Sequence, residues 1–246
     1  MRENAVTFSI ARHAAWAPGV TAPAHWAAWA EQPWTLDGGE EPKVAPMPPM
    51  LRRRAGRLAR MALEVAYACL GQEADVPTVF CSRHGEVGRA IGLLRELARG
   101  EPLSPTSFAL AVHNASAGLF SIARADRANH VALAAGPATV EHAVIEACGL
   151  LADGAPMVLL VACDEPLPAL LSRFEDRHEQ AWAFAWAMVP AGDSPVRLAW
   201  RAEPEGASAG SLFTPGGLEV LRFHLDGRAP LERSAGTQRW TWSRHA

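Results

Sequence analysis

The sequence contains no apolar run that approaches the roughly 18 residues needed to cross a bilayer. Its first residues, MRENAVTFSI, also lack the basic and then apolar pattern of a secretory leader. We therefore expect a cytoplasmic protein without membrane insertion. Neither sign of charge dominates, because 23 Lys and Arg residues stand against 26 Asp and Glu residues, for a net charge of -3. This balance gives no global field that would gather nucleic acid, so nucleic-acid binding is not expected.

Metal-binding and disulfide patterns are missing as well. The four cysteines, Cys69, Cys81, Cys148 and Cys163, form no CxxC pair, which argues against a zinc knuckle or a disulfide framework. The nine histidines show neither HxxxH nor HExxH spacing. We therefore expect reduced thiols, no metal site and no cofactor.

Apolar strand-like runs alternate with helical repeats along the chain. Strands are predicted at residues 5–16, 76–82, 130–135 and 155–165, and helices at residues 25–31, 50–70, 87–99 and 138–154. Near-continuous Val and Leu runs between helices are typical of buried parallel strands. The sequence therefore predicts a layered α/β fold around a largely parallel sheet, as a single domain over residues 1–246.

Residues 180–246 form a divergent C-terminal part. AWAFAWAMV and VRLAWRA predict two successive strands, joined as a hairpin around Pro190 to Asp193. GLEVLRFHL predicts a helix, and QRWTWSRH predicts a final strand. Trp240 and Trp242 share one face of that strand, where core packing is favoured over cover for a partner.

The segment NHVALAAGPATVEHAVIEA, from Asn129 to Ala147, joins an apolar strand to an amphipathic helix through a sharp break at Gly136 and Pro137. Many enzymes mount a nucleophile at a strand-to-helix elbow of this kind. Here residues 134–138 are Ala-Ala-Gly-Pro-Ala, and none of these side chains can attack, ionise or donate a hydrogen bond. The sequence therefore predicts an elbow without a catalytic group.

The region around this elbow resembles the N-terminal half of a β-ketoacyl synthase of the thiolase superfamily. The resemblance covers roughly Ser82 to Glu165, and it rests on Ser-Arg-His-Gly-Glu at 82–86, Ser-Pro at 104–105 and Asn-Ala-Ser-Ala-Gly at 114–118. The chain is similar to short ketoacyl-synthase-like proteins encoded with type II fatty-acid and aryl-polyene pathways. The resemblance implies a thiolase-like layered fold, about the N-terminal half of a ketosynthase, with a β-rich C-terminal extension.

Active members of that family carry a Thr-Ala-Cys motif at the elbow and two histidines from a C-terminal half, one in a His-Gly-Thr-Gly-Thr motif. The matching elbow positions here are Gly136 and Pro137, and the histidine motif is absent from the sequence. Acyl transfer needs an activated nucleophile and an oxyanion site together. The resemblance therefore implies no catalytic residue in this chain. It implies a chain-length-factor-like subunit that pairs with an active ketosynthase and supports elongation without performing it.

The resemblance also implies where that partner binds. Subunits of the family meet along the strand that precedes the nucleophile, so we expect pairing through His130–Ala135, with Val131, Leu133 and Ala135 at the interface. The preceding segment should lie beside the partner's acyl tunnel. Four residues are candidates to line or plug that tunnel: Phe108, Val112, His113 and Phe120.

A second expected partner is an acyl carrier protein. The predicted helix from Met50 to Leu70 has an apolar face and, opposite it, a basic one formed by Arg52, Arg53, Arg57 and Arg60. Acyl carrier proteins are acidic, and their partners meet them with clusters of Arg and Lys. A solvated helix face is the ordinary alternative for these four arginines.

Two further groups have alternative interpretations. Cys81 and His84 could form the nucleophile and base of a stand-alone acyltransferase or hydrolase, although a buried structural cysteine is favoured. Cys163, Asp164 and Glu165 close a buried strand, at the sheet edge where α/β folds often hold functional groups, but a structural role is again favoured. A carrier-protein-binding adaptor without a synthase partner is the third possible function.

Overall fold

The computed structural model describes residues 4–175, 178–203, 214–227 and 230–244. Within these ranges, none of the helices has both the length and the apolar character needed to cross a membrane. The strands are β1 (Asn4–Trp16), β2 (Thr78–Cys81), β3 (His130–Leu133), β4 (Val158–Asp164), β5 (Trp182–Pro190), β6 (Val196–Ala202), β7 (Leu231–Ala235) and β8 (Gln238–Arg244). The helices are α1 (Pro23–Glu31), α2 (Pro49–Arg52), α3 (Arg57–Leu70), α4 (Val87–Ala98), α5 (Pro105–Ala109), α6 (Ala115–Arg124), α7 (Thr139–Ala152) and α8 (Gly216–Asp226).

All eight strands belong to one mixed sheet, in the order β3-β2-β4-β5-β1-β6-β8-β7. β2 pairs in parallel with β3 and with β4, and every other pairing is antiparallel. The predicted layered α/β fold is confirmed. The prediction of a largely parallel sheet is wrong beyond β4, because the later strands and the N-terminal strand all join in the antiparallel sense.

β5 and β6 do not form the predicted hairpin, because β1 lies between them. Phe8 of β1 is paired with Pro190 of β5 on one side and with Val196 of β6 on the other. β1 is 13 residues long, so its first part can pair with β6 and its second part with β5. The turn signal at Pro190 to Asp193 carries no information on a strand inserted from the other end of the chain.

The side chains of β5 are sorted by size between two cores. One core lies between the sheet and helices α1, α7 and α8, and the other lies between the sheet and helices α3 and α6. The large side chains of β5 enter the first core and the alanines enter the second: Trp182, Phe184, Trp186 and Met188, against Ala183, Ala185 and Ala187. Trp240 and Trp242 are fully buried in the first core, which confirms their predicted packing role.

The predicted continuous helix from Met50 to Leu70 is wrong, because α2 ends at Arg52 and α3 begins at Arg57. Gly56 precedes α3 in an extended conformation, with φ -67 and ψ 177. A Cβ atom at Gly56 would lie 3.0 Å from the Arg89 guanidinium and 3.1 Å from the Glu86 carboxylate. The chain therefore turns where these two charged side chains pack against its backbone, and the four candidate arginines do not share one helix face.

Candidate functional site

The elbow predicted from the sequence is present. β3 ends at Leu133, a 3-10 turn covers Gly136–Ala138, and α7 begins at Thr139. Gly136 has φ +57, in the left-handed region that favours glycine. The Thr139 hydroxyl accepts a 3.0 Å hydrogen bond from the Ala135 N–H and donates a 2.7 Å bond to the Gly136 carbonyl. Thr139 therefore holds the turn in place without any contribution from a catalytic side chain.

The tip of the elbow lies at the surface rather than in a closed chamber. Ala134, Gly136 and Pro137 are exposed, and a Cβ atom at Gly136 would have no neighbour within 4 Å. Beside the tip is a cavity of about 30 Å³, which Gly136, Pro137 and Arg233 help to line. That volume suits about one water molecule and not an acyl chain.

A buried arginine supports the elbow from behind. Arg233 of β7 is 3% exposed, and its guanidinium lies 2.5 Å from the Glu141 carboxylate of α7 and 3.3 Å from the Glu219 carboxylate of α8. It also donates a 3.1 Å hydrogen bond to the carbonyl of Pro137. A Cβ atom at Gly216 would collide with this guanidinium, so the start of α8 packs directly on it. Arg233 therefore joins the elbow, α7, α8 and the last strands.

Arg233 is not among the residues predicted from the sequence. The sequence signal for Arg233 is a charged residue at a core-facing position of a strand. Arg233 and Ala235 are buried on one face of β7, whereas Glu232 is exposed. Glu141 gives a matching signal, because it lies among the buried residues of α7 and is itself 0% exposed. Two opposite charges at core positions of separate elements indicate a buried ion pair.

The residues after β2 meet the end of β4. Asp164 accepts hydrogen bonds of 2.8 Å from the Ser82 hydroxyl and 2.8 Å from the Arg83 N–H, and the Gly85 N–H donates to the Ser82 hydroxyl at 2.8 Å. Burial raises the pKa of Asp164 to about 7, against the effect of these hydrogen bonds. Asp164 therefore orders the Ser82–Gly85 loop.

Cys81 is poorly suited to act as a nucleophile. Its side chain is 2% exposed in the first core, at the end of β2. Burial, and then the nearby Asp164 and Glu141 charges, raise the pKa of the Cys81 thiol well above its ordinary value. A thiolate is the reactive form of cysteine, and this environment disfavours it.

The expected interface strand lies at the edge of the sheet. β3 pairs with β2 on one side, and its other side has no strand partner among the described residues. Val131, Leu133 and Ala135 are half-buried. Six large apolar side chains in the helices and loops nearest β3 in sequence are exposed: Leu94, Leu97, Leu103, Phe108, Val112 and Ile122. An open strand edge and these apolar side chains are thus contributed by residues 94–133.

The four tunnel candidates differ widely in exposure. Phe108 is 66% exposed and Val112 is 46% exposed, while Phe120 is 3% exposed. Phe120 lies in the second core, with ring contacts to Tyr67 at 5.1 Å and to Phe80 at 5.8 Å. Phe120 therefore packs in the core where α6 meets α3 and β2.

His113, the fourth candidate, is half-buried beside the elbow strand. Its Nε2 atom lies 3.0 Å from the Leu133 carbonyl oxygen, so the ring bonds to the end of β3. A Cβ atom at Gly85 would lie 2.5 Å from the His113 ring, and Gly85 has φ +58. His113 therefore contacts both the end of β3 and the Ser82–Gly85 loop.

Three of the four candidate arginines are engaged within the chain. Arg57 lies 3.0 Å from Glu165 and 3.2 Å from Glu41. Arg52 donates to the Lys43 and Val44 carbonyls, and Arg60 donates to the Ala55 and Arg52 carbonyls. Arg53 is exposed. No group of three His, Cys, Asp or Glu side chains that could hold a metal ion occurs in the part of the chain that the structure describes.

The comparisons with known proteins agree on one family. The family model described as "Beta-ketoacyl synthase, N-terminal domain" matches residues 26–243. A solved ketosynthase (ApeO) in complex with its chain length factor (ApeC), from Xenorhabdus doucetiae, contains a chain with 26% identity and a TM-score of 0.86. The match covers 97% of this chain and 100% of that chain. No protein of curated function matches the sequence.

Two other solved structures are alike in fold. The ishigamide ketosynthase/chain length factor gives 15% identity and a TM-score of 0.64 over 82% of this chain and 69% of that chain. AntDE:AntF, a type II PKS acyl-carrier protein in complex with its ketosynthase bound to the hexaketide, gives 13% identity and a TM-score of 0.57. That match covers 75% of this chain and 62% of that chain. At these identities the likeness concerns the ketosynthase fold alone.

Proposed function

Since the chain belongs to the family of β-ketoacyl synthase N-terminal domains, we propose that it is a non-catalytic, chain-length-factor-like subunit. It pairs with an active β-ketoacyl synthase and serves fatty-acid-like or aryl-polyene biosynthesis in the cytoplasm. Its second partner is the acyl carrier protein that delivers substrate to that synthase.

The observation that carries the proposal is the elbow. Its backbone turn is complete, yet residues 134–138 offer no nucleophile and the tip is exposed. The adjoining cavity of about 30 Å³ leaves no room for an acyl chain. A condensing site needs a nucleophile and a dry, shaped cavity together. This chain has the backbone turn that would position a nucleophile, but it has neither the nucleophile nor the cavity.

The open edge of β3 supports the pairing. A strand edge without charge or proline invites pairing with another chain, and natural proteins usually protect such edges. β3 carries Val131, Ala132 and Leu133 after a single histidine, and exposed apolar residues between Leu94 and Ile122 precede it. Exposed features of this kind suit a permanent partner. The full-length match to a chain of a ketosynthase–chain length factor complex points the same way.

The rival acyltransferase or hydrolase uses Cys81 and His84. The burial of Cys81 and the raised pKa of its thiol argue against a nucleophile there. The adaptor function without a synthase partner would leave the open β3 edge without a role. We therefore favour the subunit that pairs with a synthase.

Reconstitution tests the proposal. The chain, a full-length β-ketoacyl synthase from the same organism and the mixture of both are supplied with acyl and malonyl carrier proteins. We expect condensation by the mixture, a stable complex in size-exclusion chromatography, and no turnover by the chain alone. Replacing the nucleophilic cysteine of the synthase should abolish turnover by the complex.

Cys81→Ser separates the two functions. We expect this variant to leave the activity of the complex intact, because the buried thiol takes no part in chemistry. Turnover by the isolated chain that disappears in Cys81→Ser, with folding preserved, would show that the acyltransferase interpretation is the right one.

A further inference from the structure

A cavity of about 600 Å³ lies at the edge of the sheet away from the elbow. Segments 71–75 and 123–127 provide most of its lining, and they lead into β2 and β3 respectively. Because β2 and β3 run in parallel, both strands begin at this edge, whereas the elbow follows the far end of β3. The volume is in the range of small-molecule binding pockets. This cavity has no part in the proposed function.

The backbone around this cavity is strained. Among the described residues, three that are not glycine have a positive φ: Val44 at 44°, Asp75 at 58° and Ala125 at 52°. Asp75 and Ala125 line the cavity, and Val44 lies two residues before Pro46, which lines it too. Non-glycine residues are uncommon in this conformation, and they concentrate at functional sites because the surrounding structure must offset their cost. The strain therefore points to this cavity independently of its volume.

Two polar groups of the lining have no hydrogen-bond partner in the part of the chain that the structure describes. They are the Tyr67 hydroxyl and the Arg124 Nε–H, and both atoms are buried. Burial raises the pKa of Tyr67, while the Arg124 charge acts against this rise. The hydroxyl is therefore protonated at neutral pH and can donate. A buried donor without a partner is destabilising, and a ligand that brings an acceptor would satisfy it.

The charge of Arg124 is not matched by a carboxylate among the described residues. Its Nη1 atom donates to the Gly71 carbonyl at 2.8 Å and its Nη2 atom donates to the Glu73 carbonyl, and both acceptors are neutral. The guanidinium also lies over two rings, 5.9 Å from the centre of Tyr67 and 5.2 Å from the centre of Phe120. A half-buried cation held in this way favours an anion as the missing acceptor.

The other charged residues of the lining limit the charge of that anion. Asp126 accepts 2.9 Å and 3.2 Å hydrogen bonds from the N–H groups of Ala128 and Asp75, so each of its carboxylate oxygens has a backbone donor. The Asp75 and Arg127 side chains belong to exposed residues of the lining. Two arginines thus face two aspartates around the cavity. This balance favours a ligand with one negative charge over a more highly charged anion such as phosphate.

We propose that this cavity binds a small monocarboxylate, whose carboxylate accepts hydrogen bonds from the Tyr67 hydroxyl and the Arg124 Nε–H. Hydrogen bonds to an ionised acceptor are stronger than neutral ones. The Arg127 guanidinium adds a positive charge at the exposed side, and Pro46 and Ala123 offer apolar wall for a short aliphatic body. The inference goes beyond the proposed function and does not depend on it.

Fluorine NMR locates the ligand, because Tyr67 is the only tyrosine in the sequence. The chain labelled with 3-fluorotyrosine therefore gives one protein resonance. The probes are sodium acetate and sodium hexanoate, titrated at constant ionic strength. We expect a saturable shift with hexanoate and a weaker response to acetate, which lacks the aliphatic body. The neutral analogue hexanamide and inorganic phosphate should bind at least about tenfold more weakly than hexanoate.

Calorimetric titration of hexanoate into variants tests the assigned residues. Tyr67→Phe removes one donor but keeps the ring that contacts Phe120 at 5.1 Å, so it should weaken binding by about tenfold. Arg127→Gln removes an exposed charge and should weaken binding by roughly threefold. The matched control is Arg201→Gln, which changes an exposed arginine of β6 and should bind hexanoate as the wild type does.

Each outcome bears on the proposal. A saturable fluorine shift with hexanoate, together with weaker binding by Tyr67→Phe, supports it. The absence of a saturable shift with both carboxylates overturns it, and so does equal affinity for hexanamide or phosphate, or equal weakening in Arg127→Gln and Arg201→Gln. Should Tyr67→Phe fail to fold, Arg127→Gln and the fluorine titration of the wild type give the decision. The synthase takes part in none of these measurements, so their failure leaves the proposed function untouched.

Discussion

The Asp164 carboxylate accepts a 2.8 Å hydrogen bond from the Ser82 hydroxyl, which ties the end of β4 to the residue that follows β2. Burial raises the pKa of Asp164 from 3.8 to about 7, while the bonds from Ser82 and Arg83 act in the opposite direction. The folded protein therefore binds this proton more tightly than the unfolded chain does. The resulting stabilisation is complete below pH 3.8 and is lost as the pH rises to about 7.

Asp164→Asn should make this loss visible. The amide keeps an acceptor for Ser82 but never ionises, so the variant should gain stability relative to the wild type as the pH rises from about 4 to 7, by at most about 4 kcal/mol. The measurement is the free energy of unfolding in urea at pH 4.5 and at pH 7.5. A difference between the two proteins that is the same at both pH values would contradict the prediction.

His224 should give the stability a pH dependence of the opposite sign to that of Asp164. Its ring is half-buried and lies 4.6 Å from the His13 ring, edge to face. Burial, and then the charges of His13 and Arg244, lower the pKa of His224 from 6.5 to about 3. The unfolded chain therefore binds the proton first, and stability that is present above pH 6.5 is lost as the pH falls towards 3. His224→Asn should remove part of that loss in unfolding experiments between pH 7 and pH 4.

Asp164 and His224 together predict that the stability of the wild-type protein changes little with pH. Between pH 3.8 and pH 6.5 the Asp164 contribution falls with rising pH while the His224 contribution grows. Wild-type stability should thus change less over this range than that of either single variant. The pH dependence of the double variant should lie between those of the two single variants. Additive effects are expected because Asp164 ends β4 whereas His224 lies in α8.

Substitutions in the edge strands test the proposed interface. Val131→Asp places a charge on the open side of the sheet at β3, so we expect loss of co-purification with the synthase. The control is Leu231→Asp in β7, the strand at the other end of the sheet, where the replaced side chain is also half-buried. That control should retain the complex. Equal loss in both variants, with folding intact by circular dichroism, would count against pairing through β3.

Phe108 and Phe120 should respond differently to truncation. Phe108→Ala removes an exposed ring, so it should leave stability and pairing unchanged and lengthen the product of the reconstituted synthase. Phe120→Ala removes a ring that packs on Tyr67 and Phe80, and it should cost about 3–5 kcal/mol of unfolding free energy. Thermal unfolding and product analysis by mass spectrometry separate the two effects. Unchanged product length in Phe108→Ala would remove this residue from the tunnel wall.

Several elements predicted from local periodicity are present in the structure. The elbow, α7, the buried β4 and the core role of Trp240 all follow from patterns within about fifteen residues. The hairpin of β5 and β6 was wrong because strand pairing depends on β1, whose sequence lies far away. The break before α3 was missed because it depends on Arg89 and Glu86, which pack on Gly56 from another helix.

The candidate site also combines features that local sequence shows with features that depend on long-range packing. The sequence alone shows that residues 134–138 carry no nucleophilic side chain. The support of the elbow by Arg233, in contrast, depends on where the last strands are placed. The engagement of Arg52 and Arg60 by backbone carbonyls likewise depends on where the chain turns. Sequence patterns identify which groups could act, and long-range packing decides which of them remain available.

The position of β1 between β5 and β6 has a consequence for folding on the ribosome. β1 ends at Trp16, and its first partner strand begins only at Trp182. At synthesis rates of about 5–20 residues per second, the N-terminal strand waits roughly ten to thirty seconds before β5 is made. Such distant pairing is slow to form and leaves an apolar strand open in the meantime. β1 therefore stays without its partner strands while the residues between Trp16 and Trp182 are made.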